Sequence, residues 1–195
     1  MGKRKNLTMI LIAVAVVILA TVVTVVGVLA ATQQTVTSNI NITFTAEDIE
    51  GSVTVRYKVQ EKTLPGVEGG TEAGKVSFKA DGSQDGSISI GTASSFVEMS
   101  GSTQALYIRY DFTRAEVDYN VSATFTNDDF KVDFYDTSKS DWVELTGTSQ
   151  VVLANVDATN GSVLIMRLYV KDASKDAEVS ADGINIPLVL SAITA

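Results

Sequence analysis

The sequence predicts an all-β domain, an antiparallel two-sheet β-sandwich or jelly roll, preceded by one N-terminal hydrophobic helix. An uncharged apolar stretch, Met9–Ala31, is followed by residues in which apolar and polar side chains alternate. Strict alternation places one face of a strand in a core and the other in water, as in antiparallel sheets. Only residues 171–177 read as helical after the apolar stretch, and we expect a single turn between strands there.

The stretch Met9–Ala31 is long enough to cross a membrane. As a helix it would span about 34 Å at 1.5 Å per residue, against a hydrocarbon core of about 30 Å. A basic cluster at residues 3–5 precedes it, and such a cluster stays in the cytoplasm while the rest of the chain is placed outside. We therefore expect residues 1–31 to be a signal peptide or a transmembrane signal-anchor.

The sequence leaves open whether this segment is cleaved. Val28-Leu29-Ala30 offers small residues for cleavage after Ala30, whereas the uncharged stretch exceeds the 7–15 residues that are usual for the apolar part of a signal peptide. An uncleaved chain would contact the membrane through residues 9–31, with its C-terminal domain outside. A cleaved chain would be secreted or held at the cell surface, so both alternatives predict export.

The exported domain is expected to fill residues 39–195, after a short linker at residues 32–38. Several stretches alternate in period two, and the short polar connections between them favour hairpins. Around eight or nine strands are predicted in this way. The clearest alternating stretches have these apolar positions: Ile40, Ile42 and Phe44; Val53, Val55, Tyr57 and Val59; Leu106, Ile108, Tyr110 and Phe112; Val117, Tyr119, Val121, Ala123 and Phe125; Phe130, Val132 and Phe134; Leu164, Met166, Leu168 and Val170; Ile184, Ile186, Leu188 and Leu190.

Two parts of the domain give weaker predictions. Residues 61–104 are rich in Gly and Ser; they predict short strands at 76–80, 87–91 and 94–99 and a long surface loop. Pro187 lies within the last alternating stretch and cannot donate a hydrogen bond to a neighbouring strand. We therefore expect that strand to lie at a sheet edge or to be bulged at the proline.

Composition argues against several classes of function. The chain has a net charge of −8, and its only basic cluster lies in front of the apolar stretch, so the domain itself is more acidic still. An acidic surface repels phosphate backbones, and we expect no binding to nucleic acid. The chain has no histidine and no cysteine. It therefore lacks the usual general base and every Ser-His-Asp or Cys-His arrangement, and we expect that it is not an enzyme.

Two groups of residues are candidates for a binding site. Asp81 and Asp85 lie in a Gly- and Asp-rich stretch that resembles part of a calcium loop, although an ordinary turn is the simpler interpretation. Calcium is the one cofactor that the sequence suggests. Trp142 is the only tryptophan; exposed, it could stack on a sugar ring, and buried, it would fill the core.

Carboxylate pairs could also be interpreted as the acid and base of a glycoside hydrolase. The pairs 128/129 and 172/176 are the candidates. That chemistry needs two carboxyl groups across a cleft, one of them with a raised pKa. Both pairs lie at turn signals, where acidic residues are ordinarily solvated, and we expect them to have no catalytic role.

The chain resembles the TasA/camelysin group of bacterial surface proteins in layout: a short basic start, a long apolar segment, a junction of small residues and an acidic β domain. Members of that group carry Gly-Thr-Leu-Ala-Tyr-Phe-Thr at the junction. The present junction, residues 27–32, keeps Gly27, Leu29 and Ala30 and lacks the aromatic pair. The resemblance implies a jelly-roll subunit that, in some members, forms fibres by donating an N-terminal strand to the next subunit.

Strand donation would use residues 33–46 of this chain, with Ile40, Ile42 and Phe44 as the inserted face; the alternative is that the segment completes its own sheet. We expect a structural protein of the cell surface or extracellular matrix, anchored or secreted, that could form such fibres. The alternative function is an adhesion or glycan-binding module of the cell surface. Self-association or other surface proteins are the expected partners.

Overall fold

The computed structural model describes residues 38–47, 49–63, 69–91, 97–113, 117–156 and 161–193. These residues form strands and turns without a helix, which confirms the all-β class. All of them belong to one compact unit, Thr35–Ala195. The predicted hydrophobic helix within residues 1–31 lies outside the described residues. Within the described part of the chain, no helix is long and apolar enough to cross a membrane.

Thirteen strands are formed by the described residues, more than the eight or nine predicted, because several strands are only two to four residues long. The strands are β1 Ser38–Glu47, β2 Gly51–Glu61, β3 Thr71–Phe78, β4 Gln84–Asp85, β5 Ile88–Ile90, β6 Val97–Ser100, β7 Gln104–Phe112, β8 Tyr119–Ala123, β9 Phe130–Asp136, β10 Asp141–Glu144, β11 Gln150–Val156, β12 Ser162–Val170 and β13 Asp176–Ala192.

These strands form two sheets. The seven-stranded sheet has the order β10-β9-β12-β7-β2-β3-β4. The six-stranded sheet has the order β11-β8-β13-β1-β5, and β6 pairs with the N-terminal part of β13. The weakly predicted strands of residues 61–104 are present as β3, β5 and β6, while residues 64–68 and 92–96 of that stretch lie outside the described residues.

One described pair of strands is parallel, and all the others are antiparallel. β1 runs parallel to β13 from the pair Ser38 and Val179 to the pair Glu47 and Ser191. A parallel pair needs a long connection, and these two strands lie at opposite ends of the domain sequence. The antiparallel prediction is confirmed for the rest of the described pairs.

The facing sides of both sheets share one hydrophobic core. Phe112 of β7 packs edge-on against Tyr119 of β8, with ring centroids 6.2 Å apart, so this contact joins the two sheets. Each large apolar side chain that is fully buried contributes about 1.5–3 kcal/mol. The described residues contain no disulfide and the chain has no cysteine, so this core carries the stability of the domain. The largest fully buried apolar side chains of this shared core are Ile49, Ile90, Leu106, Ile108, Tyr110, Tyr119, Phe130, Leu164, Met166 and Leu168.

The prediction that the proline strand lies at an edge or is bulged at the proline is wrong, since the register of its pairs does not shift at Pro187. β13 is central, with β1 on one side and β6 and β8 on the other. On that second side β6 pairs as far as Val179 and β8 pairs only from Leu188 onward. Pro187 therefore lies between the part of β13 that pairs with β6 and the part that pairs with β8. On that side no neighbouring strand requires a backbone N–H from residue 187.

Short aspartate turns connect several strands. Asp136, Asp81 and Asp172 each accept hydrogen bonds from both the backbone N–H and the hydroxyl of the serine two residues later. An aspartate that bonds to backbone two residues on mimics a turn. The predicted helical stretch 171–177 contains one of these turns and then the start of β13, and no helix.

Replacing Tyr110 by phenylalanine should stabilise the domain. The Tyr110 side chain is fully buried, and its hydroxyl finds no hydrogen-bond partner among the described residues. An unsatisfied buried hydroxyl costs roughly 1–3 kcal/mol, so we expect Tyr110→Phe to raise the free energy of unfolding by about 1 kcal/mol in urea titrations.

The matched control is Tyr107→Phe, which removes a hydroxyl that donates to the Lys62 carbonyl at 2.9 Å. It should lower the free energy of unfolding. Burial raises the pKa of Tyr110, so this side chain costs the wild type stability as the pH rises above about 10, where the unfolded tyrosine ionises, and Tyr110→Phe lacks this one loss. The advantage of Tyr110→Phe should widen there, and a destabilised variant would contradict this account.

Candidate functional site

Trp142 lies on the outward side of the seven-stranded sheet and is half-buried among aromatic rings. It pairs with Tyr135 across β10 and β9, and the two ring centroids are 5.3 Å apart at 65°. Its ring also meets Tyr107 edge-on, with centroids 5.7 Å apart at 81°. Such edge-to-face pairs stabilise by about 0.5–1.5 kcal/mol beyond the area that they bury. The structure places Trp142 in a cluster of side chains outside the main core.

Arg167 of β12 is the centre of this cluster. Its guanidinium carbon lies 4.3 Å from the centroid of the Trp142 ring and 5.6 Å from that of Tyr169. Its Nη2 and Nε contact Oδ2 of Asp133 at 2.7 and 2.9 Å. Asp133 is only 4% exposed, and the hydroxyl of Tyr169 donates to its other oxygen at 3.2 Å. A planar guanidinium can stack on a ring and bond in its own plane at once, which lysine cannot do.

Lys62, which directly follows β2, contacts the cluster through its backbone carbonyl and its ammonium. The carbonyl of Lys62 accepts hydrogen bonds from the Tyr107 hydroxyl at 2.9 Å and from Nη1 of Arg167 at 3.1 Å. The Lys62 ammonium donates to the carbonyl of Gly101 at 2.7 Å and lies 5.0 Å from the centroid of Tyr169. Burial, and then the nearby Arg167 charge, lower the pKa of Lys62. We define the Arg167 cluster as Lys62, Tyr107, Asp133, Trp142, Arg167 and Tyr169.

The guanidinium of Arg167 already has its hydrogen-bond and stacking partners inside the domain. Arg167 uses its donors on Asp133 and on a backbone carbonyl, and its guanidinium lies over one face of the Trp142 ring. A sugar could not stack on that face without displacing the guanidinium. This geometry favours the interpretation that Trp142 packs against the domain. Its role in binding a ligand stays a prediction.

Asp81 and Asp85 are both exposed, and each already has a partner. Asp81 accepts bonds from the backbone and hydroxyl of Ser83 at 2.9 and 2.5 Å. Asp85 lies 2.9 Å from the ammonium of Lys79. The positive charge of Lys79 beside Asp85 disfavours the binding of a calcium ion at the same carboxylate. No group of three or more metal-ligating side chains occurs in the described ranges, and calcium binding stays a prediction.

Residues 40, 42 and 44 of β1 pair within their own chain. Ile40 and Ile42 lie opposite Ile184 and Ile186 of β13 and opposite Ile90 and Ile88 of β5. Phe44 lies opposite Leu188 of β13. β1 thus occupies a slot between β13 and β5 of its own subunit.

The alternation of apolar and polar residues does not predict the Arg167 cluster. The sequence feature that relates to this cluster is that Asp133 and Arg167 occupy polar positions in two strongly alternating strands. Their contact depends on the register that places them directly opposite each other. That register is set by the whole sheet and cannot be read from either strand alone.

The comparisons with known proteins identify no family for the chain. No protein-family model matches it, and the search of curated proteins finds no match.

Removing one partner of the buried pair in the Arg167 cluster should be costly. We expect Asp133→Asn to lower the free energy of unfolding by about 3 kcal/mol, because it leaves the Arg167 charge poorly compensated. The double variant Asp133→Asn, Arg167→Met should be less destabilised than the sum of the single variants, as measured by urea unfolding. Strictly additive effects would show that the pair is not coupled.

The control for this cycle is a surface pair on neighbouring strands. Lys131 and Glu144 lie 2.8 Å apart, with side chains 35% and 49% exposed. Exposed ion pairs contribute about 0.2–1 kcal/mol, so Glu144→Gln should change the free energy of unfolding by less than Asp133→Asn does.

The serine of an aspartate turn should control the pKa of its aspartate. The hydrogen bond from Ser138 at 2.6 Å, followed by the contact with Lys139, lowers the pKa of Asp136 to about 2. The carboxylate therefore favours the folded state above its ordinary pKa of about 3.9, and this contribution is lost as the pH falls toward 2. Ser138→Ala should raise the pKa of Asp136, measured by NMR titration of the carboxyl carbon; an unchanged pKa would contradict this account.

Proposed function

We propose that the chain is an exported structural protein of the cell surface or extracellular matrix that can assemble into fibres by donating its first strand. In this proposal residues 1–31 act as a signal peptide or a transmembrane anchor. The β domain, a two-sheet sandwich of the jelly-roll kind, lies outside the cell. The proposal assigns the chain neither catalysis nor binding to nucleic acid.

The observation that carries the proposal is the place of β1 in the six-stranded sheet. β1 is the first described strand and follows the apolar segment in the sequence. It lies between β13 and β5, and β5 joins this sheet only through β1 among the described pairs. Among the described pairs, withdrawal of β1 would release only β5 and would leave the pairs of β13 with β6 and β8, and of β8 with β11, in place.

Withdrawal of β1 would leave an open slot with unpaired backbone groups on both sides. The β1 of another subunit could supply the same backbone hydrogen bonds and the same side chains, since the sequences are identical. Strand addition to an open edge gains affinity from backbone bonds and specificity from the alternate side chains. The alternative is that β1 always completes its own subunit, as in the arrangement described above.

The adhesion alternative gains less support from the contacts of the described residues. Its contact surface would be formed by the loops of residues 61–104 and the region around Trp142, and Arg167 already lies over the Trp142 ring. An adhesion module would also need an accessible face elsewhere. We therefore keep the structural role as the proposed function.

Paired cysteines can distinguish the two positions of β1. The chain has no cysteine of its own, so Asn41→Cys with Ser89→Cys adds one pair at directly opposed positions of β1 and β5. Opposed residues of antiparallel strands lie within the reach of a disulfide. We expect protein from producing cells to give a ladder of linked chains on a denaturing gel after mild oxidation, and intact mass shows whether residues 1–31 are retained.

The matched control is Thr54→Cys with Lys75→Cys, an opposed pair of β2 and β3 that never leaves its own subunit. It should give single chains with an internal disulfide. The single variants Asn41→Cys and Ser89→Cys give the background of chance contacts. Single chains with an internal disulfide between positions 41 and 89, in every fraction, would show that β1 stays in its own subunit and would overturn strand donation.

A further inference from the structure

The six-stranded sheet carries almost no charge over most of its width. Four segments of it contain no charged residue: Ile88–Ile90, Tyr119–Ala123, Gln150–Val156 and the C-terminal part of β13, residues 184–192. β1 runs between two of these segments, and its only charged residue is the last one, Glu47. In a chain with 19% charged residues, such a region needs an explanation.

The seven-stranded sheet shows the opposite pattern. Every one of its strands contains at least one charged residue, including the two-residue β4. Its outward side carries ion pairs such as Arg109 with Asp111, whose nitrogen and oxygen lie 2.8 Å apart. The two outward sides of the domain therefore differ in kind: one is charged and the other is neutral.

We name the outward side of the four uncharged segments the neutral face. Alternation points their apolar side chains into the core and leaves small polar and apolar ones outside. Two valines are prominent there: Val189 is 42% exposed and Val151 is 53% exposed. The outward positions of the neutral face are Ser89, Asn120, Ser122, Val151, Asn185, Pro187, Val189 and Ser191.

We propose that the neutral face packs against the neutral face of a second copy of this chain. Two copies with a net charge of −8 repel each other wherever their acidic surfaces approach. A contact between identical patches brings each residue near its own symmetry mates, so any charge near the axis would meet the same charge. The neutral face is the one broad strand surface among the described residues that avoids this cost.

The side chains of the neutral face also suit a contact between sheets. Ser122 and Val189 lie directly opposite each other near its middle, and both are short. Sheets pack about 10 Å apart when short side chains from the two faces interdigitate. The four segments, with β1 running among them, span about 24 Å at about 4.8 Å per strand. Such a face is small for a stable dimer and suits a weak contact between subunits that are already linked.

This inference deepens the proposed structural role and rests on it, because it names the surface through which assembled subunits would meet. It is independent of strand donation, which uses the slot between β13 and β5. The two ideas can therefore fail separately. Ser89 belongs to the neutral face, so a face-to-face contact could link the cysteines at position 89, but such a contact stops at dimers. Strand donation alone gives a ladder longer than dimers, and absence of that ladder would remove strand donation and leave the neutral face untouched.

Covalent trapping tests the contact, since it captures weak association. Val189→Cys places a single thiol near the middle of the neutral face, in a chain that has no other. With a short bis-maleimide, we expect the full chain to form covalent dimers. The control is Lys58→Cys, an exposed position on the outward side of the seven-stranded sheet, which should stay monomeric.

A charge added to the neutral face should block the contact. In the Val189→Cys background, Ser122→Glu should lower the dimer yield on the order of tenfold, because facing like charges cost more than a kilocalorie. Thr54→Glu on the other sheet is the matched control and should leave the yield unchanged. Equal dimer yields for the thiols at 189 and 58, or no effect of Ser122→Glu, would overturn the proposal.

Discussion

The parallel ladder between β1 and β13 joins β1 and β5 to the rest of the six-stranded sheet. β5 joins that sheet through β1, and β13 joins β1 to β8 and, beyond it, to β11. The ladder unites strands from the two ends of the domain sequence, and non-local pairing of this kind is slow to form. The proposed donation of a strand between subunits needs the slot for β1 to be open while subunits meet, and slow pairing favours that.

The facing sides of the two sheets stabilise the domain, whereas their outward sides differ from each other in charge. Their facing sides share the core, which substitutes for disulfides in a chain without cysteine. The outward side of the seven-stranded sheet is fixed by charges and rings, with Arg167 bonded to Asp133 and stacked on Trp142. Stacking on the Trp142 ring and bonding of two guanidinium nitrogens to one oxygen of Asp133 both demand defined geometry, so the position of the Arg167 side chain is fixed by several contacts. The outward side of the other sheet exposes Val189 instead, and the proposed contact with a second copy uses that surface.

Sequence patterning predicted the class of the fold and most of the core. Alternation identified Tyr110, Val121 and Leu168 as inward positions because burial on one face imposes a period of two. It could not predict which strands would pair, since pairing depends on register and on contacts far apart in the sequence. The place of Pro187 and the union of Asp133 with Arg167 were missed for that reason. Trp142 was recognised as a candidate, but its neighbours became known only from the arrangement of four strands.

The direction of β1 relative to β13 determines how the domain would carry tension. The start of β1 lies beside Val179, whereas the end of β13 lies beside Glu47, at the opposite end of the ladder. Tension between the N-terminus and the C-terminus therefore acts along the two strands and loads their backbone hydrogen bonds together. An antiparallel terminal pair would place both ends at one side and would open one bond at a time. The parallel ladder therefore resists a pull along the chain better than an antiparallel pair of terminal strands would.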